Sequence, residues 1–199
     1  MLERILLLSF LAGALHVLAP DHWLPASVMS WQRRWRAGST ALFSLTAYSF
    51  HVVLGLLIFF ALEGFISSLQ STALLIFALV LVGTSTLIRL YRFTRIEEVL
   101  CAGPGSKRGI FAVFSLLGPC ESLIPVLIKS GQMGVGYLTP FFVFLAGTLV
   151  SGTVLVFAGR RLWNRPMGLP MGMSWAYRSS AAIPLLACIV LGISVWVRA

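Results

Sequence analysis

The windows 39–62, 136–158 and 179–197 contain no Asp, Glu, Lys or Arg. Each is about the length of apolar helix, roughly twenty residues, that crosses the hydrocarbon core of a bilayer. Within that core every backbone polar group must be satisfied inside the protein, which drives such stretches into α-helix. Charged residues make up 11% of the 199 residues, hydrophobic residues 58%, and the mean hydropathy is +0.94. Soluble domains carry about 25% charged residues. The expected fold class is all-α: a polytopic membrane protein forming a single membrane domain over 1–199.

Apolar windows and their breakers give six spans, at about 4–30 (interrupted), 39–62, 71–90, 109–129, 136–158 and 179–197. Twelve of the fifteen basic residues fall between spans one and two, three and four, or five and six. The positive-inside rule makes those connections cytoplasmic and puts both termini outside, in what is expected to be a bacterial cytoplasmic (inner) membrane. Trp31, Trp35 and Trp163 stand beside the arginines as interfacial anchors. The first twenty residues imitate a signal peptide. Glu3 in the charged leader, and the run into His16 and Asp21 where cleavage would fall, favour a retained first helix.

The net charge of +9 is distributed in these short clusters, with no long basic run, so nucleic acid is not an expected partner. Cys101, Cys120 and Cys188 show neither CxxC spacing nor a disulfide framework. No GxSxG, HExxH or phosphate-binding glycine loop appears, and an enzyme is not expected. Gly147-x₃-Ser151 and Thr148-x₃-Gly152 in span five read as helix-packing faces, and 131–136 as a tight turn.

The polar residues inside the spans share one depth. His51 lies near the middle of span two, Pro119, Cys120 and Glu121 near the middle of span four, and His16 to His22 bracket the middle of span one. A charged group there costs roughly 2.5–3.5 kcal/mol on insertion scales, so it persists by facing a cavity or a partner. Singly, His51 reads as an interhelical hydrogen bonder, Glu121 as a protonated helix tie and Cys120 as a small hydrophobe. Their coincidence at one depth favours a shared site.

On an unbroken helix His16 and His22 would lie about 120° apart, and Asp21 about 140° from His16, so one ion could not meet all three. Pro20 and Pro25 interrupt span one, and an unwound turn between them is expected to bring the three side chains together. The device recurs 99 positions later, where Pro119 and Pro125 flank Cys120 and Glu121 in span four. Spans one and four enter from opposite sides. The expected architecture is therefore a 3+3 inverted repeat with interrupted first and fourth helices: 1–90 as one half, 109–197 as the other, 91–108 as a cytoplasmic linker. Paired interrupted helices of this kind point to a transporter's binding site.

Imidazole and carboxylate together suit Ni²⁺ or Co²⁺ without excluding Zn²⁺ or Mn²⁺, and Cys120 would add softness. The metal ligands expected are His16, Asp21, His22 and His51, with Cys120 and Glu121 as a further substrate or proton site. Deprotonation of Glu121 or the histidines on loading would couple the metal to protons. No fixed cofactor is expected, the divalent metal being the cargo.

The spacing His16-x₄-Asp21-His22 resembles the signature of nickel/cobalt transporters of the NiCoT and NicO families. Gly13-Ala14-Leu15-His16, Pro20-Asp21-His22, Ser49-Phe50-His51 and Leu117-Gly118-Pro119-Cys120-Glu121 are similar in layout to the NicO efflux-type proteins, a pattern shared by urease-accessory-type membrane proteins. The resemblance covers spans one, two and four and implies transition-metal translocation by His16, Asp21, His22 and His51. The chain departs from it in having Glu121 after Cys120 and no histidine in 91–108.

Three other readings stay open. A non-transporting subunit of a larger membrane complex would use the histidines as hydrogen bonders. A small-anion exporter could share the six-span plan. A transmembrane thiol carrier would need a cysteine where Asp21 and His22 stand. The bilayer and a metal ion are the expected partners, with a homo-oligomer or a larger complex left open.

Overall fold

In the computed structural model the described residues are 2–68, 80, 84 and 117–163. Among them five helices form and no strand does: α1 (Leu2–His16), α2 (Pro20–Gln32), α3 (Ala37–Ser68), α4 (Leu123–Gln132) and α5 (Leu138–Trp163). Spans three and six, apart from residues 80 and 84, lie outside the described residues, as do the 91–108 linker, Cys101 and Cys188.

Two helices are long and apolar enough to cross a membrane, Ala37–Gly64 within α3 and Leu138–Leu162 within α5; the α1–α2 pair makes a third if it counts as one bent span. The chain is a helical membrane protein in that sense. Leu42, Phe50 and Leu57 on α3, and Leu138, Phe142, Val150 and Val154 on α5, are exposed apolar side chains of the kind that lipid covers.

Span one is interrupted, as its prolines led one to expect, but not where expected. The unwound residues are Val17 to Ala19, ahead of Pro20, and the two helices meet at 54°. Ala19 takes the extended backbone (φ −60, ψ 124) that a following proline imposes. Pro20 is the first residue of α2, where a missing N–H costs nothing because no helical acceptor precedes it. Pro25 does not unwind the chain: α2 runs through it. One absent helical bond is tolerated in a helix packed on its neighbours. Trp23 Nε1 donates to the Leu18 carbonyl across the break at 3.3 Å, supplying a donor to exposed backbone.

The break in span four also precedes its second proline. Gly118 to Ser122 are non-helical, and Pro125 is the third residue of α4, within the first turn where an N–H has no partner to lose. Ten residues make α4 about 15 Å long, half the thickness of a bilayer core.

Packing centres on α5, which touches the other four helices. Lipid supplies no hydrophobic drive between helices, so small residues that let backbones approach matter most. At Gly147 an added Cβ would sit 2.5 Å from the Phe10 carbonyl oxygen, and at Gly13 it would strike the Phe144 backbone. Thr148 Oγ1 donates to the Gly13 carbonyl at 3.2 Å, tying the same two helices. Of the packing face read along span five, Gly147 and Thr148 meet α1, whereas Gly152 meets the Tyr48 ring on α3. Of the 131–136 segment, Gly131 and Gln132 end α4 and the turn follows at Met133 and Gly134, with Gly134 at φ +67 and Ser130 Oγ donating to the Val135 carbonyl at 2.8 Å.

Candidate metal centre

The break at 17–19 puts His16, the last residue of α1, opposite His22 in the first turn of α2. Their ring centroids are 5.1 Å apart. His51, at the middle of the α3 span, completes the group, with its ring 5.1 Å from that of His22 and 5.8 Å from that of His16. The three histidines offer ligand nitrogens that all lie within 4.8 Å of one another. His22 is 2% exposed and His51 fully buried.

Each ring is oriented through Nδ1. His16 Nδ1 lies 2.9 Å from the Gly13 carbonyl and 3.2 Å from that of Ala12. His51 Nδ1 lies 2.8 Å from the Gly118 carbonyl, and His22 Nδ1 lies 3.0 Å from Asp21 Oδ1. Carbonyl and carboxylate oxygens only accept, so Nδ1 carries the hydrogen in all three rings. In the neutral imidazole the lone pair is then on Nε2. A ring fixed through one nitrogen by a carbonyl or carboxylate, with the other nitrogen directed at a shared point, is how proteins present histidine to a metal. His22 Nε2 is buried and has no hydrogen-bond partner. Burial of such an atom costs free energy unless something binds it.

Cys120 Sγ stands 3.6 Å from His16 Nε2, within reach of a hydrogen bond from the thiol. The break in span four therefore touches the break in span one. The segment also grips α3, because Cys120 N donates to the His51 carbonyl at 3.2 Å while His51 Nδ1 donates to Gly118. Gly55, one turn beyond His51, makes room: a Cβ there would lie 2.6 Å from the Cys120 carbonyl oxygen. Gly118 has φ +57, a left-handed value that aims its carbonyl where a β-carbon would add strain.

Of the residues singled out in the sequence, His16, His22 and His51 come together. Asp21, 8% exposed, stands behind His22 and holds its ring, outside the ring-nitrogen group. Cys120 Sγ touches the group at His16 alone and, like the half-buried Glu121, lies outside the set of atoms within 4.8 Å of one another. Pro20 borders the first break and Pro119 lies within the second, while Pro25 and Pro125 lie inside helices.

Several supporting residues had no place in the sequence reading of the site. Tyr48, buried on α3, donates to the His22 carbonyl at 3.2 Å and sits 3.4 Å from the Gly152 carbonyl, linking α2, α3 and α5. Phe144 stacks on His16 with centroids 5.1 Å apart. Spacing carried a signal for two of them: Tyr48 and Gly55 lie three before and four after His51, on one helix face.

The fold and the cluster define an all-helical protein with two helices able to cross a membrane and a group of three histidines, His22 and His51 buried and His16 half-buried, whose ligand nitrogens lie close enough to hold a metal ion. Comparison with family models, with curated proteins and with solved structures finds no match.

Proposed function

We propose that this chain is a membrane transporter for a divalent transition-metal ion of the nickel/cobalt type, with His16, His22 and His51 as the site that takes the ion. The observation that carries the reading is the convergence of the three ring nitrogens within 4.8 Å at a helix break. A midpoint site in a span, built on interrupted helices, is where transporters hold their cargo. Three imidazoles form a borderline donor set suited to Co²⁺, Ni²⁺, Zn²⁺ or Cu²⁺ and poorly suited to Mg²⁺ or Ca²⁺. Asp21 acts behind His22, holding its ring so that the other nitrogen is the one free to act as a ligand.

The six-span inverted repeat in a bacterial inner membrane, with both termini outside, belongs to the same proposal. It is supported by the two breaks, one bordered by Pro20 and the other containing Pro119, and by the Cys120–His16 contact that joins them. Burial of the cluster favours one second reading, a resident ion held in a non-transporting membrane subunit.

Whole-cell elemental analysis across Mn, Fe, Co, Ni, Cu and Zn separates the two. Cells expressing the protein are compared with cells expressing equal amounts of His22→Ala. A histidine-dependent rise or fall in one metal is expected, and its sign gives the direction of transport. No change in any metal, with both proteins inserted in the membrane, would overturn the transport reading.

A further inference from the structure

Three imidazoles leave a four-coordinate ion one donor short. We propose that the Cys120 thiolate is that fourth donor, so that the site is an N₃S centre for a borderline-soft divalent ion. The proposal rests on the three-histidine reading above and adds to it a ligand from the second half of the chain.

Cysteine alone would mean little, since a buried thiol is usually a small hydrophobe. Here it is held at a cluster that contains His22 Nε2, a buried nitrogen with no hydrogen-bond partner. The distance carries the argument. Tetrahedral bonds of about 2.3 Å to sulfur and about 2.05 Å to nitrogen place the two donors about 3.5 Å apart. Cys120 Sγ and His16 Nε2 are 3.6 Å apart, already the length of one coordination edge, while the thiol stands outside the set of atoms within 4.8 Å of one another and closes on the other rings when an ion binds. The three nitrogens, within 4.8 Å, draw in to about 3.3 Å of one another when an ion binds.

The backbone holds the thiol in place from both sides. Cys120 N donates to the His51 carbonyl, and the Cys120 carbonyl accepts from Leu123 N at 3.3 Å as α4 begins. The absence of a side chain at Gly55 lets the segment lie against α3 at this level. One five-residue break thus supplies a donor of its own and, through the Gly118 carbonyl, orients a second donor on another helix. On binding, the S–H bond breaks, a sulfur–metal bond forms and one proton leaves to solvent. The imidazoles, which keep their Nδ1 hydrogens, release none.

Cobalt(II) titration of the purified full-length protein tests this. A thiolate bound to cobalt gives an intense near-ultraviolet charge-transfer band, whereas imidazole ligands contribute only to the visible ligand-field bands. The wild type is expected to show both sets, and Cys120→Ser to keep the visible bands and lose the near-ultraviolet one. Visible bands alone in the wild type would overturn the role of Cys120 and leave the histidine site standing. Absence of both would overturn the histidine site as well.

Should Cys120→Ser fail to fold, the Cys101→Ser/Cys188→Ser double variant decides the matter, because Cys120 is then the only thiol. The near-ultraviolet band is expected to persist there, and cobalt to slow alkylation of the thiol by N-ethylmaleimide. Loss of the band in that variant, or alkylation at the same rate with and without cobalt, would overturn the proposal.

Discussion

Gly55→Ala sets two effects of opposite sign against each other. Alanine in place of glycine inside a helix is worth up to about 1 kcal/mol in intrinsic propensity, so the substitution should stabilise α3 wherever its methyl has room. At Gly55 it has none: the new carbon would meet the Cys120 carbonyl oxygen at 2.6 Å, and the Cys120 nitrogen and Cβ at 3.0 Å. Two of the three obstacles are backbone, so no rotamer change relieves the clash. Carbon contacts are most favourable beyond about 3.5 Å, which requires the 118–120 segment to retreat by ~0.5–1 Å. Overpacking of this kind costs about 1–3 kcal/mol, enough to cancel or reverse the helix gain.

The effect on the site is larger, because ligand distances tolerate only about 0.2 Å. The retreating segment carries both the carbonyl that orients His51 and the thiol beside His16. Cobalt affinity is expected to fall ~10–100-fold, the range seen when a ligand's orienting partner is lost. Thermal unfolding in detergent and cobalt titration read the two effects. Gly64→Ala, on the same helix with nothing within 4 Å of its added carbon, is the control and should be neutral or stabilising. Equal or higher thermal stability of Gly55→Ala together with wild-type cobalt affinity would refute the reasoning.

Three further outcomes follow from the geometry. Asp21→Asn keeps the side-chain size but removes the charge behind His22, and should weaken cobalt binding ~10–100-fold in the same titration. Tyr48→Phe deletes the hydroxyl that reaches the His22 carbonyl and should cost about 1 kcal/mol, read by thermal unfolding, with the cobalt spectrum retained. Gly118→Ala meets no atom within 4 Å yet must hold φ +57, so it should destabilise by about 1–2 kcal/mol through backbone strain alone. Unchanged stability of that variant would mean that the left-handed turn is not required.

The sequence identified the donors better than the backbone that carries them. Three histidines in otherwise apolar spans, two of them beside Pro20, could hardly be indifferent to one another, and they meet. Proline marks the neighbourhood of a break but not its exact residues. Pro20 sits at a helix start and displaces the unwinding to Val17–Ala19, while Pro25 and Pro125 are absorbed within helices. The position of Asp21 behind its neighbour depended on the bend angle, which no spacing rule supplies. Nor does anything local mark Gly118 as the acceptor for His51, because that contact joins residues 67 positions apart. Gly55 could have been suspected from its place one turn after His51, though a single glycine in a long apolar helix is an ambiguous sign.

The orientation of the three rings bears on how a membrane could host such a site without short-circuiting itself. An imidazole relays a proton by accepting it on one nitrogen and releasing another from the opposite nitrogen. At His16 and His51 the opposite nitrogen faces peptide carbonyls, which do not take up a proton under ordinary conditions. Those two rings are dead ends for hopping charge. Only His22 backs onto a group able to receive what it gives up, the carboxylate of Asp21. A conduit for protons through this cluster would have a single outlet, and Asp21→Asn would close it.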